Sequence, residues 1–155
     1  MHTVLFVCSG NTCRSPMAQF LLLRKIKDKG LSGRLHVLSA GLCARAGDEM
    51  AAAARVSMRK RGIEPGGFFA RAVDAETVGR ADVIITMTLA QLGALTASFP
   101  AARGKAFLLG DFCGGGDVPD PFGGGGEEYE ACAARLEDML GQAMEKITVM
   151  LGDEK

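Results

Sequence analysis

Cys8 and Arg14 bracket the segment Cys8-Ser9-Gly10-Asn11-Thr12-Cys13-Arg14-Ser15, and that spacing suits phosphoryl chemistry. An ionised thiol is a strong nucleophile, and an arginine presents a planar fork that binds two phosphate oxygens at once. Gly10 and Asn11 tolerate positive φ, so the N–H groups between Cys8 and Arg14 can turn inward as an anion nest. Pro16 marks the first turn of a helix, whose free N–H donors and positive dipole end favour both a thiolate and a phosphoryl group. No histidine is needed for this, and His2 and His36, each in or beside an expected strand, are set aside as catalysts. A Cys-to-Arg spacing alone arises often by chance, so its weight comes from its place between a strand and a helix. Cys13 has two readings: a thiol that forms a reversible disulfide protecting Cys8 from irreversible oxidation, or a small packed residue.

A thiolate that attacks phosphorus needs an acid for the leaving group, and the same group then takes a proton from water. Asp111, Asp117 and Asp120 all follow the last expected strand. Asp120-Pro121-Phe122 is the most constrained, because Pro121 biases Asp120 toward extended backbone and Phe122 can wall a pocket. Alone, an Asp-Pro pair in a Gly-rich loop reads as a turn. Together with the Cys8 loop it points to Asp120 as general acid, with Asp117 in reserve.

The elements that must hold these residues follow from periodicity. Thr3–Val7, Leu35–Leu38, Val83–Met87 and Ala106–Leu109 read as buried strands. Helices are expected over Ser15–Lys29, Asp48–Arg61, Val73–Val78 (with Asp74 as N-cap), Leu89–Phe99 and Glu127–Leu151. Strands alternating with helices give a mainly parallel α/β sheet covered on both faces, in one domain spanning 1–155. Ligands bind such sheets at the carboxyl ends of the strands, which is where the first strand delivers Cys8.

These segments together resemble the low-molecular-weight protein phosphatase family. The resemblance rests on the loop from Cys8 to Pro16, on Ser39-Ala40-Gly41 after the second strand, and on Asp120-Pro121. It implies a four-stranded parallel sheet, a cysteinyl-phosphate intermediate and no metal or other cofactor. It also implies that Cys8 is the nucleophile, Arg14 the phosphate clamp and Asp120 the acid. Ser9, Gly10, Asn11, Thr12, Cys13 and Ser15 would form the cradle, and Asn11, Ser15 and Ser39 would support its strained shape. Gln19 stands where many members have Glu, and Phe68 lies near where some have His. Thr12 stands where tyrosine phosphatases of the family usually carry an aliphatic residue, and Phe122 is followed by Gly123-Gly124 rather than a second aromatic. Both features resemble the protein-arginine phosphatase branch and place phosphoarginine ahead of phosphotyrosine, with Thr12 and Phe122 in the substrate pocket. A thiol-based arsenate reductase uses the same kind of loop, but Cys113 and Cys132 do not resemble its disulfide relay. A phosphate-binding module without catalysis would need neither Cys8 nor Asp120.

The totals agree with this. Lys plus Arg and Asp plus Glu are both 18 in 155 residues, which argues against a nucleic-acid partner. The apolar start is short and broken at Cys8, so neither a signal peptide nor a membrane span is expected. The five scattered cysteines are no secreted disulfide framework. The expectation is a cytoplasmic monomer or weak oligomer acting on a phosphorylated protein.

Overall fold

The computed structural model describes residues 1–152. Its elements run β1 (His2–Cys8), α1 (Arg14–Asp28), β2 (Leu35–Gly41), α2 (Ala52–Lys60), α3 (Ala75–Arg80), β3 (Val83–Thr86), α4 (Leu89–Ser98), β4 (Ala106–Leu108) and α5 (Gly126–Met150). The four strands are all parallel, in the order β2-β1-β3-β4. β1 and β3 are therefore the interior pair. The chain winds from β1 to one edge and then to the other, and this reversal opens a crevice beyond the C-terminal end of β1.

Side chains of a strand alternate between faces, and the core shows it. Val4, Phe6 and Cys8 pack on one side with Met17, Leu21 and Leu22 of α1, Met58 of α2 and Leu136 and Leu140 of α5. Leu5 and Val7 pack on the other with Val78 of α3 and Leu95 of α4. A strand buried on both faces reads as an unbroken apolar run, as Val4-Leu5-Phe6-Val7 does. Each such side chain contributes about 1.5–3 kcal/mol on burial.

Two short helices start as their caps direct. Asp74 accepts from the Thr77 N–H at 2.8 Å, and Thr88 accepts from the Gln91 N–H at 3.1 Å. β2 runs on to Gly41 rather than ending at Leu38, α3 spans Ala75–Arg80 rather than Val73–Val78, and the largest shift is at α2, which begins at Ala52, not Asp48. The Ala70 N–H donates to the Asp48 carbonyl at 2.8 Å, and Glu49 bridges Phe69 antiparallel, so 48–49 is held extended. Among the described residues no helix is long and apolar enough to cross a membrane.

Candidate active site

β1 carries Cys8 to the floor of its loop, where it is 1% exposed. Two groups face its sulfur: the Asn11 N–H at 3.3 Å and the Ser15 hydroxyl at 2.9 Å. Asn11 has φ 56° and is the one non-glycine residue with positive φ among the described residues. That conformation costs an ordinary side chain about 1–3 kcal/mol and persists where the surroundings enforce it.

Here the enforcement is a directed set of hydrogen bonds. The Asn11 Oδ1 accepts from the Arg71 N–H at 2.9 Å, which turns the amide nitrogen toward Ser15 and Ser39. It donates to Ser15 Oγ at 2.9 Å and to Ser39 Oγ at 3.0 Å. Ser15 Oγ, accepting from Asn11, keeps its own O–H free to donate to a Cys8 thiolate. Ser39 donates to Gln19 Oε1 at 2.6 Å, and Gln19 Nε2 donates to the Val37 carbonyl at 3.3 Å. A glutamine thus closes the chain as a neutral acceptor, so its departure from Glu keeps the network intact. Buried networks of this kind rigidify when every member is satisfied.

The other flank of the loop is held by a residue whose role was not legible in the sequence. Gln91 is 5% exposed. Its Oε1 accepts from the Met87 and Thr88 N–H groups at 3.1 and 3.0 Å, which leaves its nitrogen to donate to Ser9 Oγ at 3.1 Å. A lone glutamine on a helix carries no spacing signal. Only the apposition of α4 and β1 across the sheet reveals it. Gly41 serves from β2: a Cβ there would lie 2.6 Å from the Ser9 carbonyl and 3.0 Å from the Asn11 Cβ.

Arg14 is buried at 4% exposure. One guanidinium nitrogen donates to the Val118 carbonyl at 3.0 Å, and the other lies 3.5 Å from Asp120 Oδ2. Its Nε is buried and has no partner, a donor left over for an anion. The N–H groups of Gly10, Thr12 and Cys13 likewise make no hydrogen bond among the described residues.

Asp120 comes in from the loop after β4. Its Oδ1 accepts the Phe122 N–H at 2.9 Å, which folds the carboxylate back over its own turn, and faces the Cys13 thiol at 3.8 Å. Burial, with Cys8 and Asp120 nearby, pushes the Cys13 thiol up to about 12. Cys8, Gly10, Thr12, Cys13, Arg14, Asp120 and Phe122 all line one cleft of about 250 Å³, as do Cys43, Arg45 and Asp48. Phe122 stands at its rim, 78% exposed.

The remaining acids fall elsewhere. Asp117 accepts the Leu89 N–H at 2.9 Å at the start of α4, and Asp111 sits in a single turn after β4, so neither lines the cleft. Cys113 donates to the Leu109 carbonyl and also stays away from the cleft. Cys132 lies behind the acid loop with Asp120 and Phe122, its thiol pushed up to about 11 by burial.

The profile of the low molecular weight phosphotyrosine protein phosphatase family matches residues 3–150. The chain belongs to that family. A protein-arginine-phosphatase of Geobacillus stearothermophilus is 37% identical over 148 residues, 94% of this chain and 96% of that one. The low molecular weight protein-tyrosine-phosphatase Ptp of Acinetobacter johnsonii is 34% identical over 119 residues, 77% of this chain and 79% of that one. Among solved structures, the YwlE arginine phosphatase from Geobacillus stearothermophilus superposes with a TM-score of 0.88 at 34% identity, over 100% of this chain and 98% of that one. As a low molecular weight protein phosphatase the chain is a hydrolase of phosphorylated proteins, and its four-stranded parallel sheet is the family's.

Proposed function

We propose that this phosphatase hydrolyses phosphoarginine in proteins through a cysteinyl-phosphate. The Cys8 thiolate attacks phosphorus, forming the S–P bond as the P–N bond breaks. Protonated Asp120 gives its proton to the departing guanidine nitrogen. The carboxylate so formed takes a proton from water as that water attacks the phosphocysteine, releasing inorganic phosphate and the Cys8 thiolate. Arg14 and the N–H groups of residues 9–15 stabilise the charge on the equatorial oxygens throughout. The observation that carries this is the convergence of Cys8, Arg14 and Asp120 on one cleft, with the buried Nε of Arg14 left without a partner.

The substrate preference draws support from three features. Thr12 puts a hydroxyl where an aliphatic side chain would pack on a ring. Gly123-Gly124 leave Phe122 as the one aromatic among the residues lining the cleft, so a phenyl ring has no partner for a sandwich. Two protein-arginine-phosphatases align over 94% and 93% of the chain. Cys13, which lines the cleft with Cys8, is placed for the resolving role: once peroxide oxidises Cys8 to a sulfenic acid, Cys13 would displace water to give a disulfide.

The deciding assay compares kcat/KM on phosphoarginine and phosphotyrosine peptides, with Thr12→Ile in parallel. The wild type should favour phosphoarginine, and Thr12→Ile should move the ratio toward phosphotyrosine by about tenfold. A wild type that prefers phosphotyrosine, with Thr12→Ile unchanged, overturns the arginine reading.

A further inference from the structure

The cleft holds a second carboxylate that the reaction does not use. Asp48 lines it beside Cys8 and Arg14, reaching it from the segment after β2, whereas Asp120 reaches it from the loop after β4. β2 and β4 are the two edges of the sheet, so the two acidic residues enter the Cys8 cleft from opposite sides of β1.

The backbone around Asp48 is fixed. Its N–H donates to the Arg45 carbonyl at 3.1 Å, and its own carbonyl accepts from Ala70 at 2.8 Å. Three residues on, the Ala51 N–H donates to the Thr12 carbonyl at 2.8 Å, which ties this segment to the phosphate loop itself. The side chains differ sharply. The Asp120 carboxylate is committed to Phe122, Cys13 and Arg14. The half-buried Asp48 carboxylate makes no hydrogen bond or ion pair among the described residues, and its cleft neighbour Arg45 leaves it unpaired.

An unpaired carboxylate in a cleft that must accept a phosphoryl dianion opposes binding, because like charges repel. It becomes favourable only if the substrate brings a cation next to its phosphate. Phosphotyrosine brings a neutral ring. Phosphoarginine brings a guanidinium whose unphosphorylated edge presents two parallel N–H donors, the fork that a carboxylate accepts. With Asp120 occupied at the leaving nitrogen, that outer edge needs a different acceptor.

We infer that Asp48 is a specificity-determining residue, its carboxylate accepting the outer N–H edge of the phosphoarginine guanidinium while the phosphoryl group sits on the Cys8 loop. This rests on the arginine reading. It adds a selection against phosphotyrosine that comes from Asp48's charge rather than from the shape of the pocket.

The test uses the full chain and peptides with no other cationic residue, so that Asp48 can meet only the modified side chain. Asp48→Asn should lower kcat/KM for the phosphoarginine peptide about tenfold, the loss of one charge-assisted contact at a half-exposed site, chiefly through KM. The same variant should bind inorganic phosphate about twofold more tightly and gain slightly on the phosphotyrosine peptide, because a repelling charge has left. Asp48→Glu, which keeps the charge, should recover most of the loss. Losses of equal size on both peptides, or no change on either, with the wild type still preferring phosphoarginine, overturn the role of Asp48 and leave the arginine reading standing. A wild type that prefers phosphotyrosine overturns both.

Discussion

At the scale of single residues, the site separates groups that react from groups that hold. Cys8→Ser should cut turnover by about a thousandfold or more while inorganic phosphate still binds, since Arg14 and the loop N–H groups remain. Isothermal titration with phosphate beside a turnover assay reads both, and undiminished turnover would remove Cys8 from the mechanism. Gln91 tests the holding role. Gln91→Glu keeps an acceptor for the Met87 and Thr88 N–H groups, so α4 stays capped, but it cannot donate to Ser9 and sets an anion beside the phosphate loop. Turnover should drop about tenfold, and inorganic phosphate should inhibit more weakly at near-wild-type thermal stability. An unchanged phosphate inhibition constant would show that the Ser9 contact is merely structural. Cys8, Asn11 and Arg14 could be read from the chain because a strand, a turn and a helix start fall within one short stretch. Gln91 could not, because its partners lie at Ser9 and at the end of β3, and nothing in its neighbours in sequence marks it.

At the scale of elements, the strand ends matter more than the strands. Ser39-Ala40-Gly41 looks like a small-residue strand terminus, and two of its members serve the loop from the side. Ser39 receives the Asn11 amide, and Gly41 leaves room for the Ser9 backbone carbonyl and the Asn11 Cβ. Gly41→Ala must push that backbone away, at about 1–3 kcal/mol of overpacking. The displaced atoms belong to the phosphate cradle, so kcat/KM should fall much further than stability does, and parallel urea unfolding and kinetics would separate the two. Contacts between distant segments also set the start of α2. Asp48 has the composition of a helix start, but Ala70 and Phe69 pair with 48–49 and keep that stretch extended. That pairing joins segments some twenty positions apart, and periodicity within either one carries no trace of it. It is also what leaves Asp48 facing the cleft.

At the scale of the whole molecule, the catalytic cleft depends on layers that were legible and on one cross-brace that was not. Alternating strands and helices already require a parallel sheet with two covered faces, and a reversal in strand order requires a crevice at β1. The brace is Arg61, just past α2, which reaches α5. Its guanidinium donates to both oxygens of Glu130 at 2.8 Å each and to Glu137 at 3.3 Å. Its side chain is 15% exposed, so this is a partly buried, two-pronged pair rather than a surface contact. The Arg61 hydrogen bond is the main reason the Glu130 carboxyl sits below its ordinary value of 4.5. A carboxyl depressed in the folded state adds stability above its unfolded value and loses it as pH falls through the folded one. Arg61→Ala should therefore lower unfolding free energy by about 1–2 kcal/mol near neutral pH. Below the ordinary value of 4.5 the gap between variant and wild type should narrow, because Glu130 is then becoming neutral in both. Urea unfolding across that range measures it. A gap that stays constant with pH would mean that Arg61 acts by packing its aliphatic stem between α2 and α5, and that its charge contributes nothing to holding them together.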